Sequence, residues 1–548
     1  MSGRSLVVLL AVVLGAVVAA PAAGHNEREA VFPDGSGSVP QYRPMIADPH
    51  LVVCSRESAR RIARIDDTSL RKANQALFPE CRFNHIQDAV NAVTQPNTTI
   101  YVLPGEYRED PYRAEPECAE QFEEPEGGGT PIMSYEEQRD CPHAQNLIGI
   151  FGDTDDDGQR ECNGPLCGLQ LEGTGERPGD VLIHGGFDEH GEFEKLNGFR
   201  ADRADGVYFK NFTVELFEFN SLYVIETDGF VIDEVVGRWN DEYAFLTFAV
   251  DHGLYTNCEG YGNGDSAIYP GSASDVNSDK EGAGITRWAV EIRGCSSHHN
   301  LLGYSGTAGN SVYAHDNEFF ANSTGVSMDS LFPDHPGLPQ DHAWFENNRI
   351  YSNNVNYFPN VQEGGVCRRP PAERGYEQGT VCPNFPAPVG SGILVAGGND
   401  NLFERNRMWD NWRHAFVQFN VPAFLREETD PERQFDTSHR NEYLDNVLDV
   451  AADGSIQRNG DPNVWWDDQG VGNCWEGNTT ADGPMTSNAL FGLPDCRRRS
   501  GTGRYRPFAE VPNPVKSAEI APCATYDRHD NPDPPGCPWM KTPSRPQN

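Results

Sequence analysis

The sequence has little positive charge for its length. Its 548 residues include 43 Lys and Arg against 82 Asp and Glu, which gives a formal net charge of −39 at pH 7. Nucleic acids and anionic membranes need basic surfaces, because phosphate groups require cationic partners. The charge balance therefore argues against both as partners. It is compatible with calcium and with a neutral or cationic substrate.

Long apolar runs are missing after the N-terminus. Residues 1–24 have the layout of a secretory signal peptide, in which Arg4 supplies the charge, residues 6–18 the apolar core and Ala20-Pro21-Ala22 the cleavage site. An uncleaved anchor is the alternative, but the core is too short for a stable span, and no later stretch reaches ~18 apolar residues. We therefore expect a secreted, extracellular protein without membrane insertion.

No cysteine pair has the Cys-x-x-Cys spacing of a metal site, although the chain contains 14 cysteines. An even number spread along an exported chain predicts disulfides. Sequence alone does not fix their connectivity, but proximity suggests local couples: 54 with 81, 118 with 141, 162 with 167, 258 with 295, 367 with 382, 474 with 496, and 523 with 537.

A recurring side-chain pattern along the middle of the chain predicts a solenoid. Apolar residues alternate for a few positions before an Asn or a small residue ends the run, as in residues 207–211 and 312–317. Successive copies end at positions 211, 234, 258, 295, 317, 348, 406 and 446. The base period is about 22 to 24 residues, lengthened by insertions. A unit this short cannot bury its apolar face alone and must stack on its neighbours.

Most copies carry a second strand that begins with a small residue followed by an apolar one, as at Ala244-Phe245. Two or more strands per coil, without a Leu-x-x-Leu-x-Leu frame, favour a parallel β-helix over a leucine-rich repeat. Asn300 and Asn322 lie at predicted bends, where Asn side chains can bond the backbone and stack from coil to coil. Cys258 and Cys295 occupy the same position in consecutive coils, within disulfide range.

The region before the repeat resembles a known fold family. Residues 86–93 form one apolar helical face behind a predicted N-cap at Asn84, and a strand over Thr99–Val102 is followed by Pro104-Gly105-Glu106-Tyr107. These residues resemble the N-terminal cap and first coil of the pectin-lyase-like superfamily of right-handed parallel β-helices. Residues 264–269 and 336–339 look similar to a group of secreted bacterial β-helix proteins. The resemblance implies the fold and no single activity, because this fold hosts lyases, hydrolases, epimerases and binders.

We therefore predict an all-β fold, a right-handed parallel β-helix solenoid with an N-terminal helical cap and a disulfide-rich C-terminal extension. An irregular segment, residues 25–80, follows the signal peptide. The β-helix spans 81–450 and is interrupted by insertions at 108–178 and 359–390. Residues 451–548 form a Cys-, Pro- and Trp-rich extension, which we expect to cover the open end of the solenoid because terminal coils need a cover.

An acidic loop predicts a metal site. Asp153, Asp155 and Asp157 take positions 1, 3 and 5 of a calcium loop, with Gly158 at position 6. The second half departs from an EF-hand, because position 12 is a glycine and the nearest acid is Glu161 at position 9. We predict a structural Ca²⁺ held by Asp153, Asp155, Asp157 and Glu161. A solvated acidic turn is the alternative.

Three insertions, at 271–285, 331–342 and 422–438, follow second strands and should lie on one side of the solenoid. Loops raised on a rigid scaffold often carry sites. The predicted catalytic residues in or beneath them are Asp265, Asp329, His335 and Lys280. Two carboxylates can serve glycoside hydrolysis. A Lys or His base could instead abstract a C5 proton while calcium neutralises a uronate, which is lyase or epimerase chemistry.

Established signatures do not decide between these reactions. The Gly-His-Gly of polygalacturonases and the Asp-Pro-His-Asp of alginate epimerases are absent, as is a Gly-x-Ser-x-Gly elbow. The Arg-x-Pro-x-x-Arg spacing of pectate lyases occurs at residues 369–374, but we reject it as a catalytic motif because it lies in a cysteine-bounded loop. The sequence predicts a secreted carbohydrate-active protein, namely a calcium-assisted polysaccharide lyase, an epimerase or a glycosidase. Its partner would be an extracellular polysaccharide or a cell-surface glycan. The alternative is a non-catalytic glycan-binding or surface structural protein.

Overall fold

The structure, a computed structural model, describes residues 28–110, 118, 133–155, 158–283, 285, 287–496, 508–510 and 512–547. The predicted signal peptide lies outside these residues. Within the described ranges, no helix is both long and apolar enough to cross a membrane.

The chain winds through three parallel sheets, and each full coil adds one strand to sheet 1, then to sheet 2, then to sheet 3. Crossovers between right-twisted parallel strands are right-handed, and the fold is a right-handed parallel β-helix. In the described part of the chain, the strands of sheet 1 are β1 (His50–Val53), β2 (Thr99–Val102), β5 (Gln170–Gly173), β8 (Val207–Lys210), β11 (Asp228–Asp233), β14 (Asp251–Thr256), β17 (Val290–Arg293), β20 (Val312–His315), β23 (Trp344–Glu346), β26 (Leu402–Glu404), β29 (Glu442–Leu444) and β32 (Cys474–Glu476).

Sheet 2 consists mostly of three-residue strands in which only the middle residue is buried. Its outer face is therefore open to solvent. Its described strands are β3 (Gly105–Tyr107), β6 (Val181–His184), β9 (Thr213–Glu215), β12 (Val236–Arg238), β15 (Glu259–Tyr261), β18 (Ser296–His298), β21 (Glu318–Phe320), β24 (Arg349–Tyr351), β27 (Arg407–Trp409) and β30 (Val447–Leu448).

Sheet 3 consists mostly of six-residue strands that are buried along their whole length. Since alternate residues of a strand point to opposite faces, its outer face must be covered as well as its inner one. Its described strands are β4 (Asn146–Phe151), β7 (Asn197–Asp202), β10 (Asn220–Ile225), β13 (Tyr243–Phe248), β16 (Ser266–Gly271), β19 (Leu302–Thr307), β22 (Thr324–Asp329), β25 (Ser391–Ala396), β28 (His414–Phe419) and β31 (Val464–Trp466).

In-register pairing places like positions above one another and builds a continuous core. One inward column of sheet 1 contains only buried apolar side chains: Phe209, Ile232, Tyr255, Ile292, Ala314, Phe345, Phe403, Tyr443 and Trp475. No single coil could bury this surface by itself, so the stacking predicted from the period is what stabilises the fold.

Two ladders of buried asparagines join the coils at the bends. Between sheets 2 and 3, the side-chain amide of Asn300 donates to Oδ1 of Asn322 (3.2 Å), and Asn322 donates to Asn353 (3.0 Å). Between sheets 1 and 2, Asn348 donates to Asn406 (3.0 Å) in the same way. This confirms the prediction for Asn300 and Asn322. The amides satisfy buried backbone groups that a bend leaves without partners.

Seven disulfides tie the fold, and all of them join the cysteines that proximity had coupled. All 14 cysteines lie among the described residues, and none is free. Cys258 and Cys295 are stacked in consecutive coils with their Cα atoms 4.5 Å apart, close to the spacing of adjacent strands.

The α-helices whose bounds are described lie at the ends and in an insertion: α1 (Ser58–Ile62), α2 (Thr68–Leu77), α3 (Ile86–Asn91), α4 (Tyr135–Asp140) and α5 (Pro514–Ile520). The predicted N-cap at Asn84 is wrong. The residue before α3 is His85, which makes no side-chain cap. The carboxylate of Glu109 instead accepts hydrogen bonds from the backbone N–H groups of Ile86 (2.6 Å) and Gln87 (3.2 Å). A tertiary contact has replaced the local cap.

Strand pairing extends on both sides of the 81–450 range. Strand β1 pairs with β2 before it, and β31 and β32 pair with β28 and β29 after it. Strands β4 and β5 lie within the 108–178 segment and belong to sheets 3 and 1. Parts of residues 25–80, 108–178 and 451–548 therefore belong to the solenoid.

Three segments cover the outer face of sheet 3. Residues 28–38 form an N-terminal arm that Arg28 attaches to Asp202 (2.8 Å) and Glu226 (2.9 Å). Residues 354–390, here called the insertion cover, lie between β24 and β25. Residues 512–547, here called the C-terminal cover, contact the last coil through Lys516 and Asp468 (2.6 Å) and then run back along sheet 3. The C-terminal extension thus reaches well beyond the open end that the sequence suggested, because the outer face of sheet 3 is itself apolar.

Candidate functional site

Two predicted catalytic residues, Asp265 and Asp329, lie on the covered face of sheet 3. Asp265 directly precedes β16, and Asp329 ends β22. Their exposed fractions are 4% and 2%. Both border a narrow cavity that the side chains of Tyr243, Tyr269, Ser305, Thr307, Phe332 and Phe385 complete. The space open to the centre of a water molecule is about 10 Å³, which is room for about one ordered water.

Asp265 is held in its protonated form near neutral pH. Burial, with a smaller contribution from the negative charge of Asp329, raises the pKa of the Asp265 carboxyl to about 8. The hydrogen bond that the Tyr243 hydroxyl donates to Oδ2 opposes this rise. Tyr243 lies 3.3 Å from Oδ2. Oδ1 has no hydrogen-bond partner among the described residues. A buried carboxylic acid with an open oxygen can donate a proton to a ligand.

Asp329 has a different environment and a lower pKa. Burial raises the pKa of its carboxyl to about 6, while hydrogen bonds from the backbone of Leu331 and the side chain of Thr307 limit the rise. Thr307 Oγ1 donates to Oδ1 over 2.8 Å, and the Leu331 N–H donates to the same oxygen over 3.1 Å. Two nearby carboxyls with separated pKa values are an arrangement that assigns acid and base roles.

The third predicted residue, His335, joins this group through Tyr269. The hydroxyl of Tyr269 lies 3.1 Å from Nε2 of His335, and Nδ1 lies 2.9 Å from the carbonyl of Pro333. The carbonyl only accepts, so Nδ1 carries the hydrogen and Nε2 accepts from Tyr269. Burial lowers the pKa of His335 to about 4 and raises that of Tyr269 well above its usual value. At neutral pH the pair is an uncharged phenol and an uncharged imidazole.

A further carboxyl group, Glu242, was missed from the sequence. It precedes β13, one coil before Asp265, and its backbone carbonyl accepts from the Asp265 N–H. Its side chain is 7% exposed, and Oε2 has no hydrogen-bond partner among the described residues. Burial, and then the charge of Asp265, raise the pKa of Glu242 well above its usual value. Aligning the coils at Asp241-Glu242 and Gly264-Asp265 would have found it.

Lys280, the fourth predicted catalytic residue, does not line this cavity. It lies in the loop between β16 and β17, where its ammonium group bonds Oδ1 of Asn277. The same loop carries Asp275, whose pKa burial and the charge of Asp341 raise to about 7. Asp341 contacts Nδ1 of His342 over 3.1 Å. Lys280 thus belongs to a neighbouring polar group at the edge between sheets 3 and 1.

The predicted calcium loop is only partly described, because Asp157 lies outside the described residues. The Asp153 carboxylate accepts from Arg203 (2.9 Å) and from the side-chain amide of Asn163 (3.3 Å). Its charge is therefore matched within the chain. Among the described residues, no group of three His, Cys, Asp or Glu side chains is arranged to hold a metal ion. The calcium assignment stays a prediction.

No protein-family model and no curated protein matches the chain. Among solved structures it is similar to the A-module of the mannuronan C-5 epimerase AlgE4 of Azotobacter vinelandii, with 12% identity and a TM-score of 0.43 over 78% of this chain and 94% of that one. A rhamnogalacturonan lyase matches with 11% identity and a TM-score of 0.37 over 90% and 96%. The surface adhesin PfbA of Streptococcus pneumoniae matches with 8% identity and a TM-score of 0.33, over 72% of this chain and 84% of that one. These values say nothing about the chemistry of this chain.

Proposed function

We propose that this chain is a carbohydrate-active enzyme that performs acid/base chemistry on a polysaccharide at the Asp265–Asp329 cavity. The observation that supports it most directly is the pair of buried carboxyls whose pKa values lie near 8 and near 6. Buried ionisable groups with opposed roles are costly to keep in a structural core, and they are typical of catalytic sites.

The two carboxyls take complementary roles in this proposal. Asp265 is protonated at neutral pH and donates its proton to the leaving glycosidic oxygen. Asp329 is ionised at the same pH and acts as the base or nucleophile. The uncharged Tyr269–His335 pair orients the sugar ring of the substrate through hydrogen bonds. Catalysis by this pair needs a pH between about 6 and about 8, where one carboxyl is charged and the other is not.

A neutral glycan suits this site better than a polyuronate. The net charge is −39, and a polyanion would be repelled from such a surface at low ionic strength. Glycoside hydrolysis is therefore the first reaction in the proposal. Lyase or epimerase chemistry on a uronate is the second, with the protonated Asp265 donating a hydrogen bond to the uronate carboxylate.

The experiment is a turnover assay on a panel of neutral, acidic and amino glycans, following new reducing ends for hydrolysis and absorbance of a new double bond for elimination. Asp265→Asn and Asp329→Asn should each lower kcat about 10²- to 10⁴-fold, the usual contribution of general acid–base catalysis. The matched control is Asp467→Asn, which replaces a buried aspartate of pKa about 6 away from the cavity. If kcat is the same in Asp265→Asn, Asp329→Asn and Asp467→Asn, the assignment of Asp265 and Asp329 as catalytic residues is wrong.

One observation favours a second candidate, a non-catalytic glycan-binding or surface structural protein. The cavity holds about one water, so a pyranose ring does not fit while Phe332 and Phe385 close it. A solenoid that only binds glycans would be retained on the same panel without producing ends or double bonds. Retention that survives Asp265→Asn and Asp329→Asn would place the binding surface elsewhere.

Secretion and a structural calcium ion also belong to this proposal. Seven disulfides in one chain are typical of oxidising compartments outside the cytosol. Residues 1–24 would direct the export. A Ca²⁺ at residues 153–161 would stiffen the loop beside the 162–167 disulfide. In this proposal the ion takes no part in the reaction.

A further inference from the structure

We propose that the Asp241 carboxylate is a latch that holds the insertion cover and the C-terminal cover closed over the Asp265–Asp329 cavity. The latch regulates access to the site and therefore rests, for its biological meaning, on the proposed function. Its physical content is independent of that function. One buried carboxylate, Asp241, holds both covers against the part of sheet 3 that carries the cavity.

Both covers meet directly above the cavity. Phe385 of the insertion cover lines it. The carbonyl oxygen of Cys382 lies only 2.7 Å from where a Cβ on Gly264 would stand, so the cover backbone passes over the residue before Asp265. Phe385 packs in one apolar cluster with Tyr526 and the Cys523–Cys537 disulfide of the C-terminal cover. A polysaccharide reaches the carboxyls only if these segments move.

Asp241 binds side chains from both covers at once. From the insertion cover, the Tyr376 hydroxyl donates to Oδ1 (2.7 Å) and Arg374 approaches both carboxylate oxygens at 3.4 Å. From the C-terminal cover, Arg528 donates to Oδ2 (2.7 Å). Asp241 itself belongs to the solenoid, in the turn between β12 and β13. No other contact of the solenoid with the covers, among the described residues, joins both of them through one carboxylate.

The charges at the latch are matched only while it is closed. Burial raises the pKa of Asp241, but the charges of Arg528 and Arg374 outweigh this and hold it below its usual range. The neighbouring Glu218 has its pKa raised to about 7 by burial and by the charge of Asp241. A neutral residue at 241 would leave two part-buried guanidinium groups without this counter-ion, which is unfavourable in the closed state.

The covers are attached to each other and fixed at their opposite end. The Tyr526 hydroxyl donates to the carbonyl of Pro383 (2.7 Å), which couples the two segments. Arg413 of the solenoid donates to the carbonyls of Val389 (2.7 Å) and Lys541 (2.7 Å). Release at Asp241 would therefore loosen both covers at the end away from Arg413, where the bond from the Ala372 N–H to the Gly191 carbonyl (2.9 Å) is a further attachment of the insertion cover.

Hydrogen exchange of the full-length protein tests the latch without any substrate. In Asp241→Asn, amides of residues 359–388 and 521–537 should exchange about 10- to 100-fold faster, because losing one partner of a buried pair destabilises the closed state. The strands of sheets 1 and 2 should keep their protection. Tyr376→Phe removes the hydrogen bonds to Asp241 and from Arg374 but keeps all the charges, and it should give a smaller acceleration in the same two segments.

The matched control is Asp251→Asn. Asp251 is also buried and accepts two hydrogen bonds from one arginine, Arg287, at 2.6 and 2.7 Å, but Arg287 lies in neither cover. This variant should accelerate exchange near residues 285–289 and leave the covers unchanged. If Asp241→Asn does not fold, Arg528→Gln gives the same test from the cover side.

The outcomes separate the latch from the proposed function. Cover exchange in Asp241→Asn and Arg528→Gln equal to that of the parent overturns the latch, whatever the activity. Faster exchange in both covers supports it, even if the glycan panel shows no turnover and the enzyme proposal fails. If both hold, Asp241→Asn should raise kcat/KM on long glycans more than Asp251→Asn does.

Discussion

The outer faces of sheets 2 and 3 belong to the same solenoid and differ in almost every respect. On sheet 2, most outward residues are partly exposed and stack in register, with the Phe320, Tyr351 and Trp409 rings nearly parallel at 5.1 and 4.3 Å. On sheet 3, outward residues are buried and covered by three segments, and they include the Asp265 and Asp329 carboxyls, which have no cationic partner among the described residues. In-register stacking of like side chains therefore stabilises the outer face of sheet 2. The outer face of sheet 3 departs from this repetition, and it carries the candidate site.

Charge follows the same division. Outward carboxylates of sheet 2 have neighbours of opposite charge one coil away, such as Glu215 with Arg238 (2.6 Å) and Glu318 with Arg349 (2.6 Å). The sheet 3 carboxyls Glu242 and Asp265 instead have oxygens without hydrogen-bond partners among the described residues. The stacked rings of sheet 2 present their edges to solvent, so their faces are not free to bind sugars.

The largest expected effect is a loss of stability at high pH that comes from sheet 3. The pKa of Asp265 rises from 3.8 to about 8 on folding, so the folded state binds this proton more tightly than the unfolded state. The contribution of Asp265 to the free energy of unfolding is greatest below about pH 4 and is lost as the pH rises through about 8. A pKa difference of one corresponds to about 1.4 kcal/mol, so the loss amounts to several kcal/mol. Urea unfolding across this pH range measures it.

Asp265→Asn should flatten that pH dependence, because an amide does not titrate. If the variant and the parent lose stability equally between about pH 6 and about pH 9, the assignment of the raised pKa to Asp265 is wrong. The sheet 2 variant Glu318→Gln should keep the slope of the parent.

A smaller effect is expected from breaking the aromatic stack of sheet 2. Tyr351→Ala removes ring contacts with both Phe320 and Trp409, and it should lower the free energy of unfolding by about 1–3 kcal/mol. Since Tyr351 lies on sheet 2 and does not line the cavity on sheet 3, kcat should not change. A change in kcat with unchanged stability would contradict the division between the two faces.

Calcium should have a modest effect on stability. If a Ca²⁺ binds at residues 153–161, saturation at about 10 times its Kd raises the free energy of unfolding by about 1.4 kcal/mol, seen as a small increase in Tm. Chelation should reverse this increase and leave kcat unchanged. No Tm difference between calcium and chelator would instead indicate an acidic turn neutralised by Arg203.

The smallest effect is expected for an exposed charge pair of sheet 2. Glu318 and Arg349 side chains are 33% and 54% exposed, and such pairs contribute about 0–1 kcal/mol. Glu318→Gln should therefore change the unfolding midpoint by little more than experimental error. A loss above about 1 kcal/mol would show that the in-register charge column acts as a network.

Much of the architecture could be read from residues whose partners lie one coil away. The period, the asparagine bends at Asn300 and Asn322, and the Cys258–Cys295 contact all depend on stacking between neighbours in the repeat, so spacing alone revealed them. The cap of α3 could not be read this way, because Glu109 reaches it from another segment. The course of the segments over sheet 3 was equally hidden, since contacts such as Arg28 with Asp202 and Arg528 with Asp241 span more than 100 residues.

The candidate site was found in part. Asp265 and Asp329 were identified from their positions beside the second strands, and His335 from the inserted loop. The structure adds Glu242 and Tyr243, and it places Lys280 outside the cavity, bonded to Asn277. Side-chain direction and burial decide these memberships, and neither follows from spacing when loops of unequal length separate the coils.

The amino-acid sequence was sufficient to predict the coil, because a short unit that repeats about every 22 to 24 residues can bury its apolar side chains only against its own copies. It also suggested, without fixing it, the pairing of cysteines that stand at equivalent or nearby positions. Which face of the solenoid is covered, and which carboxyls lose contact with water, depends on long-range packing that the repeat does not reveal. Covers fold back across the chain by long-range contacts, and it is their burial of Asp265 and Asp329 that raises the pKa values of these carboxyls.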